Sequence, residues 1–296
     1  MKLHPIYQDR NVTKIPEINN WRGNHLNPSL YYSFRETRYD RQSYPSRLHC
    51  HDYYELVVFL EGEIRYICED QTFHPKYGDV ILIPPHRFHM SVIDTGSTVY
   101  KRHVFYLYPD ALDAVGCGPL TDFLTNCEAG PYFYTLDRTA RQELCSLLDR
   151  LEAALCTGDE KDRALATGLT LQIFYLLGSI RSVHVRDESP LPHKVIEIRQ
   201  YIDAHFSEIE LVSQVARHFY YSREYVSRLF RQYFNTTVAE YIMQRRVAQS
   251  QVLIAEGKPL SDICFQVGFG SMTTFIRSFR SLTKMTPGQY RETVSK

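Results

Sequence analysis

The chain lacks the patterns of a secreted, membrane-spanning or zinc-finger protein. Its seven cysteines include no C-x-x-C pair and no zinc-finger spacing, and an odd number cannot all pair, so we expect reduced, mostly buried thiols. The longest apolar stretch begins at Leu171 and covers about ten residues, whereas a membrane-spanning helix needs about 20. The first residues contain no apolar segment of the secretory type. These absences predict a cytoplasmic protein with no membrane partner.

Charge is unevenly distributed, although Lys+Arg and Asp+Glu balance at 34 each over 296 residues. Residues 193–296 contain 14 basic and 9 acidic residues, a net charge of +5, and the rest of the chain carries the compensating −5. Residues 183–192 combine charged residues with two prolines, the composition of a short linker. A chain of this length usually holds two domains. We predict a first domain over 1–182, a linker over 183–192 and a second, modestly basic domain over 193–296.

The second domain contains one local pattern twice, 49 residues apart. Ser222–Tyr241 aligns with Ser271–Tyr290, and each copy begins with a serine that can cap a helix. Each predicted helix has one apolar face and one cationic, hydrogen-bonding face, which is the chemistry that contacts phosphates and purine edges. A solvated surface helix is the alternative for either copy alone, but the repeat favours two DNA-binding units. The predicted DNA-binding residues are Ser222, Arg223, Ser227, Arg228, Arg231, Gln232, Ser271, Thr273, Thr274, Arg277 and Arg280.

A long helix is predicted to connect the two copies. It begins at Thr237, whose spacing to Glu240 is that of a capping box, and it ends near Glu256, because Gly257 and Pro259 follow. At 1.5 Å per residue it is roughly 28 Å long, close to the roughly 34 Å repeat of the DNA duplex. It would hold two reading helices on one side of the DNA.

The second copy resembles the DNA-binding domain of the AraC/XylS-type transcription regulators. The resemblance is carried by Ile263, Val267, Gly268, Phe269, Phe275, Arg277, Phe279 and the closing Thr286–Arg291. It implies two helix-turn-helix units, promoter DNA and RNA polymerase as partners, and a homodimer. Lys284 stands where the family has glycine, and Ser250 where alanine is usual. We expect the turn at Lys284 to differ locally, because left-handed backbone costs a non-glycine residue about 1 kcal/mol, whereas the equivalent Asn235 tolerates it.

The first domain has the two-residue period of strands. Runs rich in tyrosine, valine and isoleucine are separated by Gly, Pro and Asp, and they predict a small antiparallel β-barrel from about Ser29 to Tyr108. Within it, two spacings resemble the two cupin motifs. The first motif is carried by His49, His51, Glu55 and Gly62, and the second by Gly78, Pro84 and His89. In the second, His86 replaces glycine and Ile93 replaces asparagine.

The predicted fold is therefore an α+β multidomain protein. A cupin-like antiparallel β-barrel with trailing helices precedes an all-α pair of helix-turn-helix units. Positions 49, 51 and 55 differ by even numbers, so on one strand their side chains would point to the same face.

The barrel pocket leaves two interpretations open. By the cupin resemblance, a divalent metal would be held by His49, His51, Glu55 and His89. The favoured interpretation has no cofactor and a pocket that binds a small-molecule effector through Arg47, His49, His51, Tyr53, Glu55 and His89. Tyrosines are abundant in this region, and sugar faces stack on such rings, so the predicted effector is a carbohydrate.

Two helices are predicted between the barrel and the linker. The second, Leu165–Leu177, is apolar on more than one face. Packing on the barrel accounts for one face only, so packing within the domain and the dimerisation that the resemblance implies both stay open. The first helix carries a leucine stripe formed by Leu144, Leu147, Leu148, Leu151 and Leu155.

Two functions compete on this evidence. The first is a ligand-responsive transcription regulator that is not an enzyme. The alternative is a metal-dependent cupin enzyme, an isomerase or a dioxygenase, that carries a DNA-binding domain. The second cupin motif is altered whereas the DNA-binding half is intact, and this difference favours the regulator.

Overall fold

The computed structural model describes residues 19–27, 30–40, 47–93, 97–125, 133–157, 159–180 and 191–294. Most of the predicted linker, 183–192, lies outside these ranges. Ser29, where the predicted barrel begins, also lies outside them. None of the helices within them combines the length and the apolar character that crossing a membrane requires.

The strands of the first domain form two antiparallel sheets within the described ranges. Their order is β1-β2-β8-β3-β6-β9 in the larger sheet and β5-β4-β7 in the smaller. The strands are β1 Asn19–Asn27, β2 Leu30–Asp40, β3 Tyr54–Glu61, β4 Ile64–Cys68, β5 Gln71–Phe73, β6 Val80–Ile83, β7 His89–Ile93, β8 Ser97–Leu107 and β9 Phe133–Tyr134. The predicted β-rich, antiparallel class is confirmed. The described strands pair as two sheets rather than as one closed barrel. β1 and β9 lie outside the range predicted for the barrel.

The centre of the larger sheet is buried on both faces. Every residue of β6 is buried, as is the run Leu56–Phe59 of β3. Such continuous apolar runs are typical of strands covered on two sides. One face of the larger sheet belongs to a core that includes Tyr66 and Phe73 of the smaller sheet. The helices that follow the sheets pack against the same core.

In the described part of this domain, three α-helices follow β8: α1 Asp122–Thr125, α2 Arg138–Thr157 and α3 Glu160–Ser179, with β9 between α1 and α2. The leucine stripe of α2 packs within the domain, since its first four members are buried and Leu155 is half-buried. In α3, the Phe174 ring meets Phe105 of β8 edge-on at 5.7 Å. Leu165 and Tyr175 of α3 remain 46% and 69% exposed, so packing within the domain covers only part of this helix.

The second domain is helical, as predicted. Its helices are α4 His193–His205, α5 Val212–His218, α6 Arg223–Phe234, α7 Val238–Ala255, α8 Leu260–Gln266, α9 Met272–Thr283 and α10 Pro287–Val294. The helix pairs α5–α6 and α8–α9 form the first and second helix-turn-helix units, and α7 connects them. The predicted capping box of α7 is present, since the Thr237 hydroxyl accepts from the Glu240 amide and the Glu240 carboxylate accepts from the Thr237 amide.

The two reading helices end in the same way. Asn235 after α6 and Lys284 after α9 both adopt left-handed backbone, with φ of 47° and 63°. The expected local difference at Lys284 is therefore wrong: the turn geometry is kept, and the lysine takes the conformation that glycine would adopt more readily. Ser250, the other departure, is buried, and its hydroxyl donates to the Arg246 carbonyl at 2.7 Å.

The first unit shares an apolar core with the first domain. Leu48, Phe88 and Met90 of the first domain pack in one buried cluster with residues of α4, α6 and α7 such as Ile198 and Phe230. The second unit has a separate core around Phe275 and Phe279. The two halves of the chain are therefore packed against each other through α4, α6 and α7.

Candidate functional site

The reading face of α6 is open to solvent. Val226, Phe230 and Phe234 are buried and fix the orientation of the helix, so that its cationic side points outward. The predicted residues Ser222, Arg223, Arg228, Arg231 and Gln232 are exposed, and Ser227 is half-buried. The Arg228 guanidinium lies 5.3 Å from the centroid of the Tyr225 ring, which restricts this side chain beside the helix start.

The face of α9 is presented in the same manner. Phe275 and Phe279 are buried, while Thr273, Arg277 and Arg280 are exposed. Ser271 and Thr274 are occupied by the helix cap: the Ser271 hydroxyl accepts from the Thr274 amide at 3.3 Å and donates to the Thr274 hydroxyl at 3.0 Å. These two predicted residues therefore have a structural role that precedes any contact with DNA.

Three of the four predicted pocket ligands converge. His51 Nε2 lies 3.0 Å and His89 Nε2 lies 3.4 Å from the same Glu55 oxygen. The ligand atoms of the three residues all lie within 4.8 Å of one another. We call His51, Glu55 and His89 the pocket cluster.

The pocket cluster is assembled differently from the sequence argument. β3 begins at Tyr54, so His49 and His51 precede the strand, and the expectation that positions 49, 51 and 55 share one strand is wrong. Instead, His49 forms an isolated backbone bridge with His89 of β7. The segment before β3 is thereby held beside the smaller sheet, and the His51 side chain reaches Glu55 from outside the strand.

Backbone carbonyls determine which ring nitrogen of each histidine carries the proton. His51 Nδ1 lies 2.8 Å from the Tyr53 carbonyl, and His89 Nδ1 lies 2.9 Å from the Arg87 carbonyl. Because a carbonyl oxygen only accepts, each Nδ1 donates, and in the neutral ring Nε2 carries a lone pair.

When both rings are neutral, the pocket cluster places three hydrogen-bond acceptors opposite one another: the His51 Nε2, the His89 Nε2 and the Glu55 carboxylate. Burial lowers the pKa of His51 and favours its neutral form. Burial acts to raise the pKa of Glu55, but the interactions with His51 and His89 outweigh it and hold that pKa well below the usual value. In the neutral rings the two Nε2 lone pairs would face the Glu55 carboxylate, an arrangement that a cation or a hydroxyl-bearing ligand would stabilise, whereas a protonated Nε2 would donate to Glu55.

Two predicted pocket residues stand apart from the cluster. His49 is exposed, and although its ring lies 4.3 Å from that of His89, its nitrogen atoms are outside the converging set. The Arg47 side chain is exposed, and the amide of the next residue, Leu48, donates to the carbonyl of Phe234 in α6 at 3.1 Å. Arg47 therefore lies beside the second domain.

An aromatic wall beside the cluster was only partly predicted. The Tyr53 ring stacks on His51 at 4.0 Å and meets Tyr106 at 5.1 Å, and Tyr106 stacks on Tyr31 at 5.9 Å. The Arg35 guanidinium lies 5.4 Å from the Tyr106 ring centroid. We call Tyr31, Arg35, Tyr53 and Tyr106 the aromatic wall.

Strand register explains why Tyr106 was missed as a pocket residue. It lies on β8 directly opposite both Glu55 of β3 and Tyr31 of β2. Local sequence patterns carry no signal of such cross-strand neighbours.

Comparisons with known proteins match both halves of the chain. Residues 30–178 match the family model described as an AraC-like ligand binding domain, and residues 215–293 match a helix-turn-helix domain model. The uncharacterized HTH-type transcriptional regulator YdeC of Bacillus subtilis is 23% identical over 255 residues, which cover 83% of this chain and 86% of YdeC. Several Staphylococcus aureus regulators are longer, and the chain spans 30% of their length.

A further relative matches most of the chain, and a solved structure matches about a third of it. The HTH-type transcriptional activator RhaS of Citrobacter koseri is 22% identical over 261 residues, which cover 87% of this chain and 91% of RhaS. The C-terminal domain of AraT, a response regulator from Geobacillus stearothermophilus, is 29% identical, covers 36% of this chain and 88% of that domain, and has a TM-score of 0.34.

Proposed function

The chain belongs to the AraC family of transcription regulators, and we propose that it binds promoter DNA through α6 and α9 in response to a small molecule held at the pocket cluster. DNA binding and an N-terminal ligand-binding domain follow from the family. The observation that carries the proposal is the pair of exposed arginine faces on α6 and α9, which have equivalent caps and are joined by the 18-residue α7.

Each reading helix has the chemistry of major-groove contact. Arginine side chains donate to phosphates and, in bidentate geometry, to guanine edges. Arg223, Arg228 and Arg231 belong to the first reader, and Arg277 and Arg280 belong to the second, where Thr273 adds a hydroxyl and a methyl group. The two faces therefore differ, so we infer that the DNA site is asymmetric.

The DNA-binding proposal is tested by removing one arginine from each reader. Arg228→Ala and Arg277→Ala should each weaken binding by about fivefold or more, because a base or phosphate contact contributes about 1 to 3 kcal/mol. Binding is measured by fluorescence anisotropy on a duplex selected by the wild-type protein from a random pool. Arg150→Ala, an exposed arginine of α2, is the control. Wild-type affinity in both reader variants would remove these arginines from the interface.

The effector we propose is a small polyhydroxylated molecule of the carbohydrate class. The pocket cluster offers acceptors for hydroxyl donors, and the tyrosine rings of the aromatic wall offer faces on which a sugar ring can stack. Arg35 contributes a cation to the same wall.

A panel of sugars screened by thermal shift tests the effector class, because a ligand that binds the folded state raises the melting temperature. The active sugar should lose its effect with Glu55→Gln and with Tyr106→Leu, and keep it with His193→Ala, an exposed histidine of α4. A shift that survives both pocket variants would place the binding site elsewhere.

A divalent cation is a second occupant for which the geometry gives a reason. Two imidazole Nε2 atoms and one carboxylate, with both Nδ1 atoms donating to carbonyls, fit the donor set of zinc or iron. Such an ion would act as a Lewis acid toward an oxygen of the ligand.

Metal analysis of the purified full chain tests the cation. Stoichiometric metal that His89→Ala removes would show a metal-dependent sensor. The same metal accompanied by turnover of an isomerase or dioxygenase substrate would favour the alternative enzyme and contradict a function in regulation alone.

Two further partners stay proposals. The exposed Leu165 and Tyr175 of α3 support a homodimer formed through this helix, and Tyr175→Glu should then yield monomers by analytical ultracentrifugation. Contact with RNA polymerase and a cytoplasmic location remain predictions from the sequence.

A further inference from the structure

The outward side of α9 carries an isoleucine among its cationic and hydroxyl side chains. Ile276 is 39% exposed, whereas Phe275 and Phe279 of the same helix are fully buried and form its packed face. A single exposed aliphatic side chain is common on protein surfaces, so its neighbours decide what it can contact.

Helical spacing places Ile276 among the predicted DNA-binding residues of α9. Thr273 lies three residues before it and Arg280 four residues after it, so both are its neighbours along one side of the helix. Arg277 is the next residue, and all three of these side chains are exposed. When the arginines donate to phosphates or guanine edges, Ile276 therefore lies against the base edges between those contacts.

The major groove presents one apolar group that fits this side chain. The edges of unmodified base pairs offer hydrogen-bond donors and acceptors, and thymine adds its C5-methyl group. An isoleucine can neither donate nor accept a hydrogen bond through its side chain, so the thymine methyl is the base-edge group that it complements. Ile276 therefore has the chemistry of a thymine contact.

The first reader differs from the second at this position. In the 49-residue repeat, Ile276 aligns with Ser227 of α6, which is half-buried and carries a hydroxyl. The arginines are the same in both readers: Arg228 and Arg231 align with Arg277 and Arg280. Shared arginines cannot distinguish the two halves of a DNA site, whereas an aliphatic side chain in one reader and a hydroxyl in the other can.

The orientation of α9 does not depend on Ile276. Phe275 meets Phe269 at 5.3 Å and Phe279 at 5.8 Å, and Phe279 meets Tyr290 of α10 at 5.6 Å. These rings hold the helix from its buried side. Alanine is a strong helix former, so Ile276→Ala should remove a surface group and leave the fold and the melting temperature unchanged.

We propose that Ile276 is a specificity-determining residue of the second reader and that it contacts the C5-methyl group of one thymine in the DNA half bound by α9. The inference rests on the proposed function and deepens it, because it gives the asymmetry of the DNA site a chemical cause. The contact should be worth about fourfold in affinity, the equivalent of burying one methylene group.

Deoxyuridine substitution tests the contact, because deoxyuridine pairs like thymidine and lacks only the C5-methyl group. Each thymine of the duplex selected by the wild-type protein is replaced in turn, and the affinity of the full chain is measured by fluorescence anisotropy. The wild type should lose about fourfold at one thymine. Ile276→Ala should show a similar loss on the unmodified duplex and no further loss when that thymine is replaced.

Two variants of the same helix are the controls. Leu282→Ala removes another exposed aliphatic side chain, six residues further along α9 and 43% exposed, and it should keep both the affinity and the methyl dependence of the wild type. Thr273→Ser removes a methyl group, keeps the hydroxyl and should also keep the methyl dependence. A methyl effect that persists in Ile276→Ala, or that Thr273→Ser removes, would overturn the assignment to Ile276.

Failure of the inference differs from failure of the proposed function. A selected duplex whose affinity depends on Arg277 but on no thymine methyl group contradicts the role of Ile276 alone. If the wild type selects no duplex, or if Arg228→Ala and Arg277→Ala both bind the selected duplex as tightly as the wild type, the reading function of these faces fails and the role of Ile276 fails with it.

Discussion

At the scale of single residues, burial determines the protonation of His103 on β8. The side chain is 1% exposed, and its Nδ1 lies 2.7 Å from the Tyr32 hydroxyl. Burial lowers the pKa of His103 from 6.5 to about 4. Above pH 6.5 the ring is neutral in both the folded and the unfolded chain. Below it, the unfolded chain takes up a proton that the folded chain refuses until about pH 4, so the free energy of unfolding falls across this window.

The His103→Gln variant should therefore be less sensitive to acid. The full shift corresponds to about 3 kcal/mol, and the part expressed at pH 5 to about 2 kcal/mol, which is roughly 5 °C in melting temperature for a domain of this size. The amide of glutamine keeps a partner for Tyr32 but does not titrate. Melting curves at pH 7 and pH 5 should show a smaller difference for the variant than for the wild type. Equal differences would contradict the lowered pKa.

The sequence predicted pocket residues only where ligand-type side chains stand at short, motif-like spacings along the chain. His51, Glu55 and His89 were predicted from two short motifs, and the structure brings them together. Arg35 and Tyr106 were missed because their position depends on the register of β2, β3 and β8, which no local pattern specifies.

At the scale of elements, the helices of the second domain follow from their sequences. The capping boxes and the apolar periodicity are short-range signals, so α6, α7 and α9 begin near the predicted residues. The bounds of β3 could not be predicted in this way, because the strand begins where its pairing with β8 and β6 begins. The error placed His49 and His51 on the strand.

The end of α9 gives a test at this scale. Lys284→Gly should raise the free energy of unfolding by up to about 1 kcal/mol, because glycine adopts the left-handed backbone of this position without steric cost. Lys284→Ala is the matched control, since it also removes the lysine side chain but keeps the strained backbone. Chemical denaturation of the three proteins measures the effect. Equal stability of the glycine and alanine variants would show that the backbone at Lys284 is unstrained.

At the scale of the whole molecule, the packing of the domains could not be predicted from the sequence. Arg199 of α4 is buried and donates across the domain boundary to Glu69 and Asp70, which lie between β4 and β5 of the first domain. Each of these residues alone has the pattern of an ordinary surface or core position. Their joint role depends on the docking of α4 and α7 against the loops beside β5 and β7.

The Arg199 ion pairs should determine whether the domains unfold together. Removing one partner of a buried ion pair typically costs about 3 to 5 kcal/mol, because the other charges stay buried and uncompensated. Arg199→Met keeps most of the apolar volume, so its calorimetric scan should show two separated transitions where the wild type shows one. Lys194→Met, an exposed cation on the same helix, is the control. A single transition at the wild-type temperature in Arg199→Met would mean that the ion pairs do not couple the domains.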